Sequence, residues 1–426
     1  MFKSITGTFD VLPISHTPKD GATIPGAAAW RYVEATVREG MHRFGFEEVR
    51  TPVMEALDLV ARGVGGTTDI VQKEMFTVER GRDTYVLRPE VTAPVVRAAL
   101  QHNLLQRGGA QRLFYIGPCF RAERPQKGRY RQFHQFGVEL LGSDQPTADV
   151  EAIANLRSIY AAFGVGGTRL RLNTLGDPAD RPAYRDALRA YFAPYADELS
   201  PTSRQRLETN PLRILDTKDP REAEIASGAP LLPDFVGVDA RSHYEAVKSG
   251  LDTLGIPYVE DPRLVRGLDY YTRTVFELES DALGAQSALA AGGRYDGLAQ
   301  AVGSKQRVPA VGYAAGIERL FIALAEAGVA LPEAPRPDAF LVCMDDDART
   351  WALAAAQDLR AAGLRVEFDL LDRAWRKQLK EAARQQARFA VIVGPDDLAC
   401  GHAQVRDLGS GDQRSVPFRD LAASMA

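Results

Sequence analysis

The sequence contains few cysteines, no long apolar run and no large excess of either charge. Its three cysteines, Cys119, Cys343 and Cys400, lie far apart and form no CxxC spacing. This argues against a zinc site and against a disulfide framework, and it fits a reducing compartment. No run of about 18 apolar residues occurs, and the first residues lack the apolar core of an export signal. We therefore expect a cytoplasmic protein without a membrane span.

The charge balance limits what the protein can bind through its overall field. The 426 residues include 52 basic and 56 acidic side chains, and the formal net charge is −4. Such a field repels a polyanion slightly, so any nucleic-acid binding must depend on local patches. Only nine of the basic residues are lysine, and in a chain so rich in arginine a single arginine is weak evidence. The length predicts about three domains of ~150 residues each.

The first part of the chain alternates between helix and strand patterns. Apolar residues at helical spacing predict a helix over 27–44. The alternation of 46–53 predicts a strand that ends at Pro52 or lies at a sheet edge there, because proline lacks a backbone donor. Segments 113–120 and 132–141 predict two strands of an antiparallel hairpin, joined by a polar segment.

The rest of the chain changes character at two places. From about 170 to 260, polar helices with many prolines and few strand patterns predict an insertion. Pro332, Pro335 and Pro337 form a stiff linker and the clearest domain boundary. Beyond the linker, strand and helix patterns alternate as β-α-β-α-β, which predicts a small α/β domain with a largely parallel sheet.

The polar segment 121–131 carries five basic residues and one acid. A solvated loop is the ordinary explanation for such a charge run. A phosphate site is favoured here because two apolar strands would hold the segment in place, and guanidinium groups match phosphate oxygens in pairs. In addition, Phe133, His134 and Phe136 follow at once as planar surfaces on which a base could stack.

Two acidic residues are candidates for binding a polar or cationic group. Glu139 lies in an apolar strand, where an unpaired carboxylate is costly to bury. Alternation equally allows Glu139 to face water at a sheet edge. Glu90 and Thr92 lie where a strand meets a helix, and by themselves they suit a helix N-terminal acid and a capping hydroxyl.

Later motifs are less specific by themselves. Tyr270 and Tyr271 are adjacent where a strand begins, so alternation predicts that at most one of them lines a given pocket. The glycine-rich segment 290–297 lacks the GxGxxG and Walker patterns. Arg319, near a helix start, could be a surface residue that pairs with Glu318.

Basic residues also recur at helical spacing in the last domain, with only Glu381 opposing them. Such a face could contact an RNA backbone through counterion release, or it could simply be solvated. The residues are Arg373, Arg376, Lys377, Lys380, Arg384 and Arg388.

The order of these segments, more than any one of them, resembles a known family. Phe-Arg-Ala-Glu at 120–123, followed by Gly-Ile-Glu-Arg at 316–319, resembles motifs 2 and 3 of class II aminoacyl-tRNA synthetases. The strand that meets Pro52 is similar to their motif 1, the dimerisation element. The resemblance to the histidyl-tRNA synthetase family covers nearly the whole chain. Three signatures carry it: ERPQKGRYRQFHQ at 123–135, LVRGLDYY at 264–271 and AGGRYDGL at 291–298.

The resemblance implies an α+β fold: a class II catalytic core on an antiparallel sheet, a helical insertion domain and a C-terminal α/β anticodon-binding domain. The expected boundaries are 1–172 and 261–330 for the two parts of the core, 173–260 for the insertion and 338–426 for the last domain. The implied activity is that of a histidine–tRNA ligase. ATP and L-histidine form histidyl-adenylate and pyrophosphate, and histidine then passes to the 3′ terminal ribose of tRNA-His.

The resemblance also implies how ATP would be bound. Arg121 and Arg266, the expected catalytic residues, would hold the α-phosphate and stabilise the charge that grows on phosphorus as the histidine carboxylate attacks. Mg²⁺ would bridge the phosphates without a fixed protein metal site. Arg319, with Arg129 nearby, would hold the γ-phosphate, and Phe133 would stack on adenine beside Glu123. The implied ATP-binding residues are Arg121, Glu123, Arg129, Phe133, Arg266 and Arg319.

Histidine would be held at its two ends. Glu139 and Tyr271 would contact the two imidazole nitrogens, which selects imidazole over isosteres because polar groups would otherwise stay unpaired. Glu90, Thr92 and Gln135 would bind the α-amino group. The implied histidine-binding residues are Glu90, Thr92, Gln135, Glu139, Tyr270, Tyr271 and Tyr295.

The resemblance implies a homodimer in which each chain contacts tRNA-His at two places. Arg124, Gln126 and Arg131 would face its acceptor end, and the last domain, with Arg376, Lys377 and Lys380, its anticodon.

One position departs from the commonest family pattern, because Val91 stands where a glycine is frequent. Its neighbours Glu90 and Thr92 are intact, so we interpret it as tolerated variation.

The nearest alternative function is that of a non-catalytic relative that binds histidine as the regulatory subunit of ATP phosphoribosyltransferase. Such relatives typically lack the C-terminal domain and have an eroded motif 2 loop, whereas both are present here. A plain RNA-binding module would not explain the matched pocket residues, and an unrelated ATP-dependent ligase would need other substrate groups in place of Glu139 and Tyr271.

Overall fold

The computed structural model describes residues 2–18, 22–66, 68–215, 217, 219–281 and 288–425. The chain divides into two compact units, Met1–Pro332 and Glu333–Ala426. No described helix is both long enough and apolar enough to cross a lipid bilayer.

The first unit is built on a large mixed sheet. Its described strands pair in the order β1-β5-β6-β11-β10-β9-β7-β8, and every pairing is antiparallel except those of β1 with β5 and β7 with β8. A smaller antiparallel sheet has the order β2-β4-β3. The strands are β1 Glu47–Glu48, β2 Met54–Ala56, β3 Phe76–Arg80, β4 Asp83–Leu87, β5 Gln111–Phe120, β6 Gln132–Leu141, β7 Thr168–Thr174, β8 Val259–Glu260, β9 Thr272–Ser280, β10 Ala288–Arg294 and β11 Ala310–Gly316.

Four of the described helices share one hydrophobic core with the central strands of this sheet. The predicted first helix is confirmed, because Trp30, Val33, Val37 and Met41 are all buried on one face of it. The helices are α1 Ala27–Arg43, α2 Leu57–Val64, α3 Thr92–Gln101, α4 Pro146–Ala162, α5 Arg181–Phe192, α6 Pro201–Thr209, α7 Pro220–Ser227, α8 Val238–Thr253, α9 Leu298–Ala301 and α10 Ile317–Glu326.

The predicted hairpin is confirmed, whereas the predicted strand before Pro52 is much shorter than expected. β5 and β6 pair without interruption from Gln111 opposite Leu141 to Phe120 opposite Gln132. By contrast, only Glu47–Glu48 forms a strand in the segment 46–53. The carbonyl oxygen of Thr51 accepts a hydrogen bond from the Arg88 guanidinium at 2.9 Å, whereas Val49 and Val53 bond to the backbone of Phe114 and Arg88.

The segment predicted as a helical insertion contains α5 to α8, but its end is integrated into the main sheet. Tyr244, Val247 and Leu251 of α8 belong to the same hydrophobic core as the central strands. The edge strand β8 then pairs with β7. The apolar face of α8 packs here because a helix must bury its apolar stripe against another element.

The second unit has a mixed five-stranded sheet in the order β13-β12-β14-β15-β16. The β-α-β-α-β part is confirmed, and its three strands are parallel. The expectation of a largely parallel sheet was incomplete, because β15 and β16 add antiparallel pairings that their short polar sequences did not reveal. The elements are β12 Ala339–Cys343, α11 Asp346–Ala361, β13 Val366–Phe368, α12 Trp375–Arg384, β14 Phe389–Val393, α13 Pro395–Cys400, β15 His402–Asp407, β16 Gln413–Pro417 and α14 Leu421–Met425.

Candidate active site

A cavity of about 500 Å³ opens in the first unit over strands β6, β9, β10 and β11. It brings together side chains from distant parts of the sequence, with arginines and acids on the same walls. Most of the residues predicted for ATP and histidine line it: Glu90, Thr92, Arg121, Glu123, Arg129, Phe133, Gln135, Arg266, Tyr270, Tyr271, Tyr295 and Arg319.

Strand β6 supplies the floor of the cavity through alternation. Phe133, Gln135, Gly137 and Glu139 point to the same face because successive side chains of a strand alternate. Gly312 pairs with Glu139 across the sheet, and a Cβ at Gly312 would lie 3.0 Å from the carboxyl carbon of Glu139. The glycine therefore leaves the space that the carboxylate occupies.

Glu139 is fully buried directly behind the cavity lining. The hydroxyl of Tyr295, which does line the cavity, donates a hydrogen bond to its carboxylate. Burial raises the pKa of Glu139 to about 8, although the nearby hydroxyls of Thr92 and Tyr295 act in the opposite direction. The alternative of a water-facing edge residue is wrong, because Glu139 lies in the centre of the sheet.

Glu90 fulfils the capping role that its position suggests, and it also lines the cavity. Its carboxylate accepts hydrogen bonds from the backbone N–H groups of Thr92 and Ala93, at 2.7 and 3.0 Å. These bonds satisfy free donors at the start of α3. Burial raises the pKa of Glu90 despite these bonds. Capping and substrate contact are therefore compatible for this residue.

The arginines of the hairpin are held by nearby acceptors. Arg121 donates through Nε to the carbonyl oxygen of Pro89 at 3.0 Å, and its guanidinium lies 5.4 Å from the centre of the Phe133 ring. Arg129 forms an ion pair of 2.6 Å with Glu123. This places positive charge and an aromatic face side by side, as the binding of a nucleotide requires.

The two other predicted phosphate ligands come from later segments. Arg266 forms an ion pair with Glu277 of β9. Arg319 is largely buried and donates to the carbonyl oxygen of Ala288 at 2.6 Å. Burial lowers the pKa of Arg319. The neighbouring Glu318 carboxylate accepts from the backbone N–H of His134 at 2.8 Å.

The expectation that only one of the adjacent tyrosines lines the pocket is wrong. Both Tyr270 and Tyr271 line the cavity, with ring centres 4.6 Å apart. Strand β9 begins only at Thr272, so the alternation of a strand does not apply to the two tyrosines. The ring of Tyr270 also lies 5.6 Å from that of Tyr295.

Several residues of the site were missed by sequence reasoning. Tyr115 and Glu277 line the cavity, and Glu318 connects the start of α10 to β6 through His134. Glu318 stands inside the quoted motif Gly-Ile-Glu-Arg, which was a usable signal. Tyr115 and Glu277 lie in ordinary strand patterns and had none.

The predicted tRNA contacts differ in how accessible they are. Arg124 and Gln126 are exposed in the tip of the hairpin loop. Arg131 is partly buried, and it donates to the carbonyl oxygens of Thr6 and Glu123 at 3.3 and 3.4 Å. Arg131 thus connects the loop to the N-terminal segment and offers less of its surface than predicted.

The basic face of the second unit is narrower than predicted. Arg373 is paired with Asp369 and Glu381, and Arg384 is paired with Glu381. Arg388 lies beyond the end of α12 and donates to a backbone carbonyl. The exposed cations that remain on α12 are Arg376, Lys377 and Lys380.

Comparison with known proteins agrees with this combination of a catalytic cleft and a separate C-terminal unit. Residues 24–320 match the family model described as histidyl-tRNA synthetase, and residues 338–425 match the one described as anticodon binding domain. Together these matches define an aminoacyl-tRNA synthetase.

Similar proteins identify the family. The chain is 45% identical to a histidine–tRNA ligase of Chloroherpeton thalassium, covering 100% of this chain and 97% of that protein. It is 46% identical to one of Parasynechococcus marenigrum, covering 99% and 97%. The crystal structure of apo S. aureus histidyl-tRNA synthetase matches over 100% of both chains, with a TM-score of 0.82 and 35% identity. The chain belongs to the histidyl-tRNA synthetase family, which confirms the predicted family and the α+β fold with a C-terminal anticodon-binding domain.

Proposed function

We propose that the chain is a class II histidine–tRNA ligase that forms histidyl-adenylate from ATP and L-histidine and then transfers histidine to tRNA-His. The observation that carries this proposal is the cavity itself, where a buried acidic end with Glu139 and Glu90 meets an arginine-lined end with Arg121, Arg266 and Arg319. Family membership over the full length supports it.

Phosphate binding follows from the arginines. Arg121 and Arg266 hold the α-phosphate, and their charge stabilises the negative charge that grows on phosphorus when the histidine carboxylate attacks. Arg319, with Arg129, holds the γ-phosphate and so orients pyrophosphate as the leaving group. Phosphate oxygens would replace acceptors such as Glu277, which now pairs with Arg266.

Adenine binding and the metal complete this end of the site. Phe133 stacks on the adenine, with Glu123 beside it. No group of three His, Cys, Asp or Glu side chains among the described residues could hold a metal ion by itself. Mg²⁺ commonly takes one or two carboxylates together with phosphate oxygens, and Glu277 on the cavity wall is a donor of that kind. Mg²⁺ bound there with ATP would neutralise phosphate charge.

Histidine binding uses the opposite end of the cavity. Glu90, Thr92 and Gln135 surround the α-amino group, and Glu139 and Tyr271 contact the two imidazole nitrogens. Tyr270, Tyr271 and Tyr295 enclose the ring. A ligand without ring nitrogens would leave these buried polar groups unpaired, which is the basis of strong discrimination.

Transfer to tRNA involves both units of the chain. Arg124, Gln126 and Arg131 contact the acceptor end, and the exposed cations of α12 contact the anticodon region.

We also propose a homodimer through the segment that contains β1, a cytoplasmic location without membrane attachment, and the domain boundaries 1–172, 173–260, 261–330 and 338–426. Sedimentation of the purified protein tests the dimer.

The reaction is tested by ATP–pyrophosphate exchange with each of the twenty amino acids in turn. We expect exchange with histidine alone, followed by charging of tRNA-His. Exchange with another amino acid would refute the proposal that histidine is the substrate. Histidine binding without any exchange would instead indicate the non-catalytic regulatory relative, against which the matched anticodon-binding domain argues.

The basic helix is tested by the double substitution Lys377→Glu and Lys380→Glu. We expect about a tenfold or larger rise in the KM for tRNA, because phosphate contacts depend on lysine charge, while histidine-dependent exchange stays unchanged. The matched control is Arg414→Glu with Arg419→Glu, which makes the same change of charge at exposed positions outside α12. If the lysine variant and the control variant have the same KM for tRNA, the lysines are merely solvated.

A further inference from the structure

Segment 264–271 carries three side chains of the cavity, Arg266, Tyr270 and Tyr271, although it forms neither helix nor strand. It lies between β8 and β9, so no ladder of strand hydrogen bonds fixes its backbone. Backbone donors and acceptors that are shielded from water nevertheless need partners. The position of the three side chains therefore depends on the groups that hold this segment from other parts of the chain.

Arg213 holds the segment directly after Arg266. It lies in a short 3₁₀ helix, Pro211–Ile214, between α6 and α7. Its Nη2 atom donates to the carbonyl oxygen of Gly267 at 2.9 Å and also lies 3.5 Å from Oδ1 of Asp269. Only 12% of the Arg213 side chain is exposed, so water competes little for these contacts. One charged side chain thus contacts two points of the segment, and hydrogen bonds from a charged donor are the stronger kind.

Asp269 is also fixed by the turn that follows α2. Its backbone N–H donates to the carbonyl oxygen of Val64 at 3.2 Å. The next residue, Gly65, has a φ of +103°, and a Cβ there would lie 2.8 Å from Cβ of Asp269. A glycine permits this conformation and this close approach, whereas a larger residue does not. The contact with Arg213 is therefore made to a backbone that is already held at one point.

The two ends of the segment have separate anchors. The side-chain amide of Asn173 donates to the carbonyl oxygen of Leu264 at 2.9 Å. Arg181 of α5 donates to the carbonyl oxygen of Tyr271. Because these anchors do not involve Arg213, its loss should release the middle of the segment and leave both ends in place.

We infer that Arg213 is a positioning residue for adenylate formation, because it fixes the backbone next to Arg266 and so directs the Arg266 guanidinium toward the α-phosphate. This inference rests on the proposed function. Arg213 does not line the cavity, so it acts through Arg266 and not on the substrate. A displacement of about 1 Å at a reacting group can cost a hundredfold in rate, so an anchor one residue away from such a group matters for catalysis.

The first test is Arg213→Ala, with kinetics measured by histidine-dependent pyrophosphate exchange. We expect kcat to fall between about tenfold and a hundredfold, because Arg266 is no longer held in its productive position. The KM for histidine should change by less than about twofold, because Glu90 and Glu139 lie on other elements and Arg181 still holds Tyr271. Arg213→Lys should recover part of kcat, because the ammonium group can still donate to the carbonyl oxygen of Gly267.

A double-mutant cycle with Arg266→His tests whether Arg213 acts through Arg266. In single-turnover adenylate formation, Arg213→Ala should lower the rate by less than about twofold when Arg266 is already replaced, because coupled residues are not additive. If Arg213→Ala has its full effect in the Arg266→His background, the inference is wrong. Equal kcat in wild type and Arg213→Ala would overturn it as well.

Arg221→Ala is the matched control, because Arg221 belongs to the same helical region but pairs with Glu198 and Glu224. It should leave kcat unchanged. Hydrogen exchange of the amides of 264–271 should become faster in Arg213→Ala and stay at the wild-type rate in Arg221→Ala. Exchange at the wild-type rate in Arg213→Ala would show that Arg213 does not hold the segment.

Failure of the proposed function can be told apart from failure of this inference. A wild-type protein that binds histidine without any pyrophosphate exchange refutes the proposed function. In that case the same cycle of Arg213→Ala and Arg266→His is measured on the dissociation constant for ATP. Additive losses of ATP affinity, or no loss in Arg213→Ala, would then overturn the inference, and non-additive losses would support it.

Discussion

Replacing Arg266 with histidine should lower the rate of histidyl-adenylate formation by about a hundredfold to a thousandfold. This is the range seen when one group that stabilises transition-state charge is removed. The imidazole is shorter than the guanidinium and presents fewer donors, so it cannot span the distance to the α-phosphate. Histidine binding should remain detectable, because Arg266 pairs with Glu277 and the acid that faces the ring is Glu139. Pyrophosphate exchange measures the rate, and calorimetry measures histidine binding.

A second effect must be separated from this one, since Arg266→His also removes the partner of Glu277. The double variant Arg266→His with Glu277→Gln removes the unpaired carboxylate as well. If exchange in the double variant is slower than in Glu277→Gln alone, the difference is due to the missing guanidinium. Arg169→His is the matched control, because Arg169 is an exposed arginine on the neighbouring strand β7. Wild-type exchange in Arg266→His would show that the proposed role is wrong.

Replacing Glu139 with glutamine should lower kcat/KM for histidine by about a hundredfold or more. The reason is that a buried polar group of the substrate left without a matching partner strongly weakens binding. The amide keeps the shape of the carboxyl group, but its NH₂ group can only donate hydrogen bonds. When its oxygen accepts from Tyr295, its NH₂ group faces the ring N–H of the substrate, and two donors then oppose each other. Steady-state exchange measures the effect, and the KM for ATP should not change.

The same substitution should change how stability depends on pH. Burial raises the pKa of Glu139 from an ordinary 4.5 to about 8, so the folded protein favours the protonated form. Its contribution to the free energy of unfolding is therefore fully present below about pH 4.5 and is lost as the pH rises through about 8. The stability of Glu139→Gln relative to wild type should increase between pH 5 and 9 without histidine, measured by urea unfolding.

Glu222→Gln is the control for this pH effect, because Glu222 has the opposite shift. Hydrogen bonds from Thr217, Ser200 and Ser203 outweigh burial and lower the pKa of Glu222 to about 2. Its contribution is present above the ordinary carboxyl pKa and is lost as the pH falls, so Glu222→Gln should lose stability at neutral pH with normal histidine kinetics. A stability difference for Glu139→Gln that does not change with pH would contradict the buried, protonated state.

Much of the fold follows from local patterns. The buried face of α1, the unbroken hairpin of β5 and β6, and the three parallel strands after the proline linker were all predicted, because each depends on residues close in sequence. The family was also evident from the sequence, since its signatures are contiguous runs such as 123–135.

The sequence by itself thus determined the family, the main elements and the residue types that the site would use. The tertiary structure alone decided which groups are buried and which are already paired. Glu139 carries a raised pKa because strands on both sides enclose it, both Tyr270 and Tyr271 line the cavity, and Arg373 is neutralised by Asp369 and Glu381. The position of Tyr115 on the cavity wall was likewise not predictable, because Gly137, which gives its ring space, lies on another strand. Burial and pairing depend on contacts between distant segments, which periodicity along the chain does not encode.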